Sequence, residues 1–376
     1  MRIVQVAPEI APGTGVGAVA HHLEAAFTRA GVATERHTLA EAHGAWLPPA
    51  RGPFAKPVHA LRVGWFTVVG ALTLRRRLAA DPDLVSLVHN DVYAGHVYVN
   101  HGILAMAMRA RGRRRWWLNP LHAATYLRDR TRYRGRLHRA VVSLTTREAD
   151  GLVETYGRLG APCVVIGNGV DTEAFRPTTA HGRVTARARL GVPDDVDCAL
   201  FVGHEPARKG LDLLLEAAAQ RPELHVLVVG GTAEVLALVT DRWQARLGGR
   251  LHLAGRQPDA REALRAADVL VLPSSYEADA LVVLEAMSAG VPVVATRVGA
   301  APDLIDDGIN GALVERTAAD VAKGLAQVLG KDAAARAAGS AAARATALER
   351  TWDRVASRYL KLLTEIDAAH QPTEHR

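Results

Sequence analysis

Residues 199–220 read Ala199-Leu-Phe-Val-Gly-His-Glu-Pro-Ala-Arg-Lys-Gly-Leu-Asp-Leu-Leu-Leu-Glu-Ala-Ala-Ala-Gln220. An apolar run, Ala199–Gly203, gives way to a short polar loop, and helix formers with helical apolar spacing follow at Leu211–Gln220. An apolar run without polar alternation is what a strand looks like when helices cover both faces of its sheet, so a parallel sheet is indicated. The same unit recurs along the chain. The first half has such runs at Arg2–Pro8, Leu84–Asn90, Val97–His101, Val141–Thr145 and Val164–Gly167. The second adds His225–Gly230, Leu251–Ala254, Val269–Pro273, Val291–Ala295 and Ala312–Val314. The expected fold class is α/β, a doubly wound pattern built twice.

The chain has 376 residues, 49% hydrophobic and 23% charged, a balance that excludes disordered and collagen-like classes. At about 150 residues per domain, this length suggests two domains or more. The boundary is expected near Pro177, where residues 176–185 carry no strong period. The domains would then be 1–177 and 178–350, with a C-terminal helix and tail over 351–376. The longest apolar stretch, Val63–Leu74, falls short of the roughly 20 residues of a spanning helix. A buried helix is the expectation there. The N-terminus, Met1-Arg2-Ile3-Val4-Gln5-Val6, reads as a strand rather than a secretory leader. Two cysteines, Cys163 and Cys198, make neither a disulfide framework nor a zinc site, which fits a reducing cytoplasm.

Three segments carry chemistry. After the first strand, Gly15, Gly17 and Ala20 satisfy G-x-G-x-x-G/A, the dinucleotide-binding pattern. Gly15 lies too far beyond the strand for that fingerprint, which leaves a phosphate-facing loop or a helix start needing close backbone approach. Before Leu211, Arg208 and Lys209 stand at a helix start, where free N–H groups and the positive helix end already favour an anion. Third, Pro273-Ser-Ser-Tyr-Glu277-Ala-Asp-Ala280-Leu281-Val-Val-Leu-Glu285 places one glutamate before a helix starting near Ala280 and another inside it. A carboxylate on so apolar a helix needs partners, either a sugar or ribose hydroxyl pair or an arginine in the core.

Together these segments resemble the retaining family 4 glycosyltransferases. The resemblance also rests on Val99-Asn-His101-Gly102, Val165-Ile-Gly-Asn-Gly-Val-Asp-Thr-Glu-Ala-Phe-Arg-Pro177, Ala267-Asp-Val-Leu-Val-Leu-Pro-Ser274, Arg297-Val-Gly-Ala-Ala-Pro-Asp303 and Asp307-Gly-Ile-Asn-Gly311. It implies the GT-B fold, two Rossmann-like doubly wound domains facing a cleft, with the C-terminal helix returning to the N-terminal domain. It implies transfer of a sugar from a nucleoside-diphosphate sugar to an acceptor hydroxyl. By position, Glu277 would meet the donor sugar, Glu285 the ribose and Lys209 the diphosphate. Amides near Ala280 and Leu281 would hold the sugar-phosphate region. His101 would sit beside sugar and acceptor, Arg256 would line the base pocket, and Gly15 and Gly17 would form a donor-side loop. The family's arginine after the strand glycine is His204 here, so Arg208 would supply the second cation. Its aromatic-glycine pair is Asp279-Ala280. His89 has a weaker claim, as a core or turn histidine.

No side-chain nucleophile stands out. In such enzymes the departing diphosphate helps deprotonate the incoming hydroxyl, so catalysis is positioning plus charge stabilisation. No metal or other cofactor is expected; Asp81-Pro82-Asp83 reads as a turn. A sugar-nucleotide epimerase of the same fold and an NAD-dependent oxidoreductase stand as alternatives. The charge is also informative. Residues 1–180 carry 23 basic and 13 acidic side chains, whereas the rest carries 23 and 26. The surplus sits in Arg109–Arg139, with eleven arginines, one acid and Trp116, Trp117, Tyr126 and Tyr133 interleaved. That window suits an anionic membrane surface, and with it a lipid-linked acceptor on the cytoplasmic inner face. It equally fits a solvated arginine-rich helix. Nothing else supports a nucleic-acid partner.

Overall fold

The computed structural model describes residues 1–13, 15–50 and 54–368. It divides into two compact units, the first holding residues 1–109, 113–168 and the helix Trp352–Ala368, the second 110–112 and 169–351. The division after Asn168 precedes the expected boundary at Pro177.

Each unit is built on a six-stranded sheet. The first sheet comprises β1 (Arg2–Val6), β2 (Thr34–His37), β3 (Leu84–Val88), β4 (Val97–Asn100), β5 (Ala140–Ser143) and β6 (Cys163–Val165). The second comprises β7 (Asp197–Val202), β8 (Leu224–Val229), β9 (Leu251–Gly255), β10 (Val269–Leu272), β11 (Val293–Thr296) and β12 (Gly311–Val314). The orders are β2-β1-β3-β4-β5-β6 and β12-β11-β10-β7-β8-β9. Every pairing is parallel. Central strands such as β3 and β10 are buried at every residue, as their unbroken apolar spelling requires. In such sheets ligands bind beyond the carboxyl ends of the strands where the order reverses. That point lies between β1 and β3 in the first sheet and between β7 and β10 in the second.

Four features depart from the sequence reading. β2, Thr34-Glu35-Arg36-His37, has no apolar run to announce it. It is an edge strand whose charges are paired, Arg36 with Glu24 at 2.7 Å and Glu35 with Arg2 and Arg77. The stretch Val63–Leu74 belongs to a 26-residue helix, Ala55–Ala80, that buries only Phe66, Gly70, Ala71 and Leu74. By length and composition it could cross a membrane, and it is not the buried helix expected. The alanine-rich spelling of Ala333–Ala347 reads as a marginally packed surface helix, yet in the helix Ala333–Leu348 the residues Gly339, Ala343 and Ala347 are buried where it packs against Leu281–Ser288. Small residues let the two backbones approach. Finally, Trp116 is buried against Tyr126, and Tyr133 is buried too, so of those aromatics only Trp117 is well exposed.

Helix Trp352–Ala368 buries Trp352, Val355, Ala356, Tyr359, Leu363 and Ile366 on one stripe. It packs on Val16–Arg29, where Trp352 stacks on His22 at 5.1 Å and Asp353 pairs with Arg29 at 2.6 Å.

Candidate active site

The second unit assembles a charged knot at its switch point. β7 ends at Val202, and a one-turn helix, Pro206–Lys209, leads through Gly210 into Leu211–Ala219. Arg208 and Lys209 therefore close one short helix rather than open the longer one. Gly203 leaves room for the Lys209 stem, since any Cβ there would collide with Lys209 Cδ. β10 ends at Leu272 and its loop brings Glu277 to meet both cations. Glu277 Oε1 accepts from Ser274 Oγ at 2.8 Å and forms ion pairs with Lys209 Nζ at 3.1 Å and with Arg208 at 3.2 Å. Arg208 also bonds Glu205 at 2.6 Å and the Tyr276 carbonyl. The side chains of Glu277, Arg208 and Lys209 are only 10–15% exposed, so these pairs are worth more than surface ion pairs. Glu277 Oε2 has no partner among the described residues.

Beyond Glu277 the chain turns through Ala280, whose φ of 75° is strained for a residue with a side chain, into the helix Leu281–Ser288. This is where the resembled family's glycine stands. Val283 donates to the Ala280 carbonyl at 2.9 Å, so the N–H groups of Ala280, Leu281 and Val282 precede the first helical bond. Glu285, half-buried one turn on, pairs with no arginine or other residue among those described. Burial pushes its carboxyl up to about 7, Asp259 adds to the rise and Lys209 opposes it. The core-pairing alternative is thereby overturned. Sequence reading also missed two supports. Thr296 Oγ1 donates to the Ser274 carbonyl at 2.6 Å, and Arg316 ties the Pro273 and Ala207 carbonyls at 3.2 and 2.9 Å. The ends of β11 and β12 are where such supports sit in this fold. His204 and Arg256 are exposed and hydrogen-bond to none of the described residues, so they stand outside the knot.

The first unit gathers uncharged groups at its own switch point. Gln5 on β1 bonds the Ala20 carbonyl at 2.8 Å and the ring of His89, just past β3, at 3.0 Å. His89 is within 3.1 Å of His101, just past β4. Burial holds both rings below the ordinary histidine range, His101 at about 4, and His101 lowers His89 further. His89 is fully buried, as a core histidine is, and it also joins the cluster. Gly15 caps helix Val16–Arg29 with φ 82°. A Cβ on Gly17 would meet the Glu9 carbonyl oxygen at 2.6 Å. The close approach that Gly17 permits is to its own chain, which removes the main support for the dinucleotide pattern. Among the described residues no group of three or more His, Cys, Asp or Glu could hold a metal ion.

Residues 183–345, which contain the charged knot, match the model of the glycosyl transferases group 1 family. That match spans the second unit's whole sheet and none of the first unit's. It is 38% identical over 247 residues to the D-inositol 3-phosphate glycosyltransferase of Geodermatophilus obscurus, covering 61% of this chain and 54% of that protein. The enzyme of the same name from Streptomyces avermitilis is 38% identical over 248 residues, covering 61% and 53%. The chain thus spans about half the length of the curated relatives it matches. Sucrose-phosphate synthase from Thermosynechococcus elongatus aligns over 98% of this chain and 99% of its own, with a TM-score of 0.77 at 18% identity. WaaG, a glycosyltransferase of lipopolysaccharide biosynthesis, aligns over 96% and 99% with 0.76 at 18%. Anabaena HepE, solved with UDP-glucose, aligns over 97% and 100% with 0.68 at 20%. These likenesses show the fold, and it is GT-B.

Proposed function

We propose that the protein is a retaining glycosyltransferase that moves a sugar from a nucleoside-diphosphate sugar to an acceptor hydroxyl without a metal ion. The observation that carries this is the charged knot, in which Lys209 and Arg208 converge on Glu277 beside the free N–H groups of Ala280, Leu281 and Val282. Two cations and a row of amides offset a diphosphate, and they stabilise it more as the sugar departs and its charge grows. Glu277 Oε2 is open to accept from a sugar hydroxyl, and the unpaired Glu285 suits the two hydroxyls of a ribose. The relatives' name and the HepE complex with UDP-glucose support a nucleotide-sugar donor. The departing diphosphate then takes the acceptor's proton on the face it leaves, which preserves the anomeric configuration.

A thermal-shift screen with UDP-, GDP- and ADP-sugars tests the donor. A ligand at about 100 times its Kd stabilises the native state by about 2.7 kcal/mol. An EDTA-treated enzyme should keep its rate, and NMR of the product should show the donor's anomeric configuration. Epimer formation without acceptor, or a requirement for added magnesium or manganese, would sink the reading.

On the acceptor side, we infer that the first unit rests on an anionic membrane and takes a lipid-linked hydroxyl at the inner face. Not all the arginines of 109–139 take part. Arg132 is buried on Tyr98, Asp129 and the Asp91 and Val92 carbonyls, and Arg128 pairs with Asp91 and Asp129. Arg109, Arg113, Arg114, Arg115, Arg130, Arg134 and Arg136 are exposed, beside Trp117, Leu118, Leu121 and Leu127. Helix Ala55–Ala80 adds exposed Leu61, Val68 and Leu72 ahead of Arg75 and Arg76. Each basic residue near an anionic leaflet contributes about 1 kcal/mol, screened beyond roughly 8 Å at physiological salt. Co-sedimentation should require anionic vesicles, weaken with salt, and drop in an Arg113/Arg114/Arg115→Ser variant. Indifference to anionic vesicles at low salt removes this reading and leaves a soluble acceptor.

A further inference from the structure

The three polar groups at the first unit's switch point form a chain with a fixed direction. It starts at a backbone carbonyl, Ala20, which can only accept. The Gln5 amide must therefore turn its NH2 toward Ala20, at 2.8 Å, and its carbonyl oxygen toward His89 Nε2, at 3.0 Å. An amide carbonyl also only accepts, so His89 Nε2 carries a proton and donates it. His89 is fully buried, and an imidazolium there would place an uncompensated charge in the core. A neutral ring with a proton on Nε2 has a lone pair on Nδ1. That lone pair faces His101 Nε2 at 3.1 Å, so His101 Nε2 must donate in turn. His101 is neutral as well, and its remaining nitrogen, Nδ1, is left as an acceptor.

The backbone around His89 holds this arrangement. His89 N–H bonds the Val6 carbonyl at 2.8 Å, and the next two residues, Asn90 and Asp91, have φ values of 129° and 54°. Such strain persists only where the surroundings over-determine it. Here Arg132 bonds the Asp91 carbonyl at 3.1 Å and Arg128 its carboxylate at 3.2 Å. A ring fixed on β1 and by a clamped turn leaves His101 little freedom to invert its bond.

We propose that Gln5 and His89 are positioning residues that lock His101 with its proton on Nε2, so that its Nδ1 meets a substrate hydroxyl as an acceptor. This rests on the reading above that His101 lies beside sugar and acceptor. The histidine addresses a group that donates, a hydroxyl, while the phosphate, which only accepts, is left to Arg208, Lys209 and the helix amides. Gln5, an unremarkable polar residue inside an apolar strand, sets the direction of the whole chain.

Histidine 15N NMR of the full-length protein near neutral pH, without substrate, tests the lock. His101 should carry a slowly exchanging proton on Nε2 and none on Nδ1. A proton on Nδ1 overturns the proposal. Gln5→Met keeps the volume and removes the acceptor, so the His89–His101 bond is free to reverse. In that variant an Nδ1 proton should appear on His101. The kcat should fall roughly 10- to 100-fold, at or below the lower end of the roughly 10²- to 10⁴-fold range for a positioned acid or base, because the acceptor is misaligned and not removed, with donor KM within about twofold. Gln5→Glu, whose neutral acid can repeat both bonds, should restore the tautomer and most of kcat. A fall in kcat with the His101 tautomer unchanged makes Gln5 merely structural and also overturns the proposal. If Gln5→Met does not fold, the wild-type spectrum and Gln5→Glu still decide. Because the spectrum needs no substrate, a correct tautomer in a protein that binds no nucleotide sugar condemns the reading of function and not the lock.

Discussion

The two switch points of this molecule solve opposite problems. At the second, between β7 and β10, two cationic side chains, Arg208 and Lys209, are gathered on one carboxylate oxygen, Glu277 Oε1. At the first, between β1 and β3, burial keeps two histidines neutral and a glutamine orders their protons. One topology thus supports a charged anchor and an uncharged acceptor, according to what the strand ends carry. The charged anchor suits an anion whose charge grows as a bond breaks. The neutral chain suits a hydroxyl that donates a hydrogen bond. Large effects are therefore expected from the charged side, and smaller, more selective ones from groups that only tune it.

The largest expected effect is that of Lys209→Ala. Its ammonium is the more compact of the two cations on Glu277, and its stem is seated over Gly203. Removing one preorganised charge partner of a transition state costs on the order of 10²- to 10³-fold in rate. Here the loss also leaves a nearly buried Glu277 with a single cation, so kcat/KM should fall by roughly 10³-fold or more. Steady-state kinetics with the identified donor measure this. A nearly silent Lys209→Ala would show that the knot is structural and that the diphosphate lies elsewhere.

Glu277→Gln comes next. The glutamine keeps the shape and an acceptor for Ser274, but no longer attracts Lys209 and Arg208 as a charge. Turnover should fall by about 10²-fold while affinity for the nucleoside diphosphate alone changes little. That diphosphate gains two less encumbered cations in the variant, so calorimetry should show its binding unchanged or slightly tighter. A large loss of diphosphate affinity with turnover preserved reverses the assignment.

How far these differences could be read from sequence follows the same division. Eleven of the twelve strands are spelled as apolar runs and announce themselves, the central ones because helices cover both faces of the sheet; β2, an edge strand held by arginine-carboxylate pairs, does not. The knot was legible because Arg208, Lys209 and Glu277 are charged residues at the ends of apolar segments, and Glu285 because it interrupts an apolar helix. The neutral chain was not, because Gln5 is a single polar residue inside a strand and His89 reads equally as core. Helix Ala55–Ala80 misled for a related reason. Apolar spelling reports low polarity and not burial, and its outward stripe of Leu61, Val68 and Leu72 is as apolar as its inward one. Arginine counting failed in the same way, since Arg132 spends its charge inside the fold.

Glu285 offers the smallest and most diagnostic test, because its charge is set by environment and then by ligand. Its carboxyl is raised from 4.5 to about 7, chiefly by burial. A carboxyl with a native pKa above its unfolded one binds more protons folded than unfolded between the two values. Stability of the free protein should therefore fall as pH rises from about 4.5 to about 7 and level off above. Glu285→Gln removes this dependence and should stabilise the free protein at pH 8 by on the order of 1–3 kcal/mol, with no gain below pH 4. Binding runs the other way. A ribose diol donates to the ionised carboxylate, so nucleoside-diphosphate affinity should fall about tenfold between pH 8 and pH 6 in the wild type, relative to Glu285→Gln. The comparison with the variant cancels the titration of the phosphate itself. Paired thermal melts and calorimetry at pH 6 and pH 8 read both trends. If Glu285→Gln stabilises the free protein at pH 8 but leaves the pH dependence of binding intact, the carboxyl is buried for packing and the ribose is held by other groups.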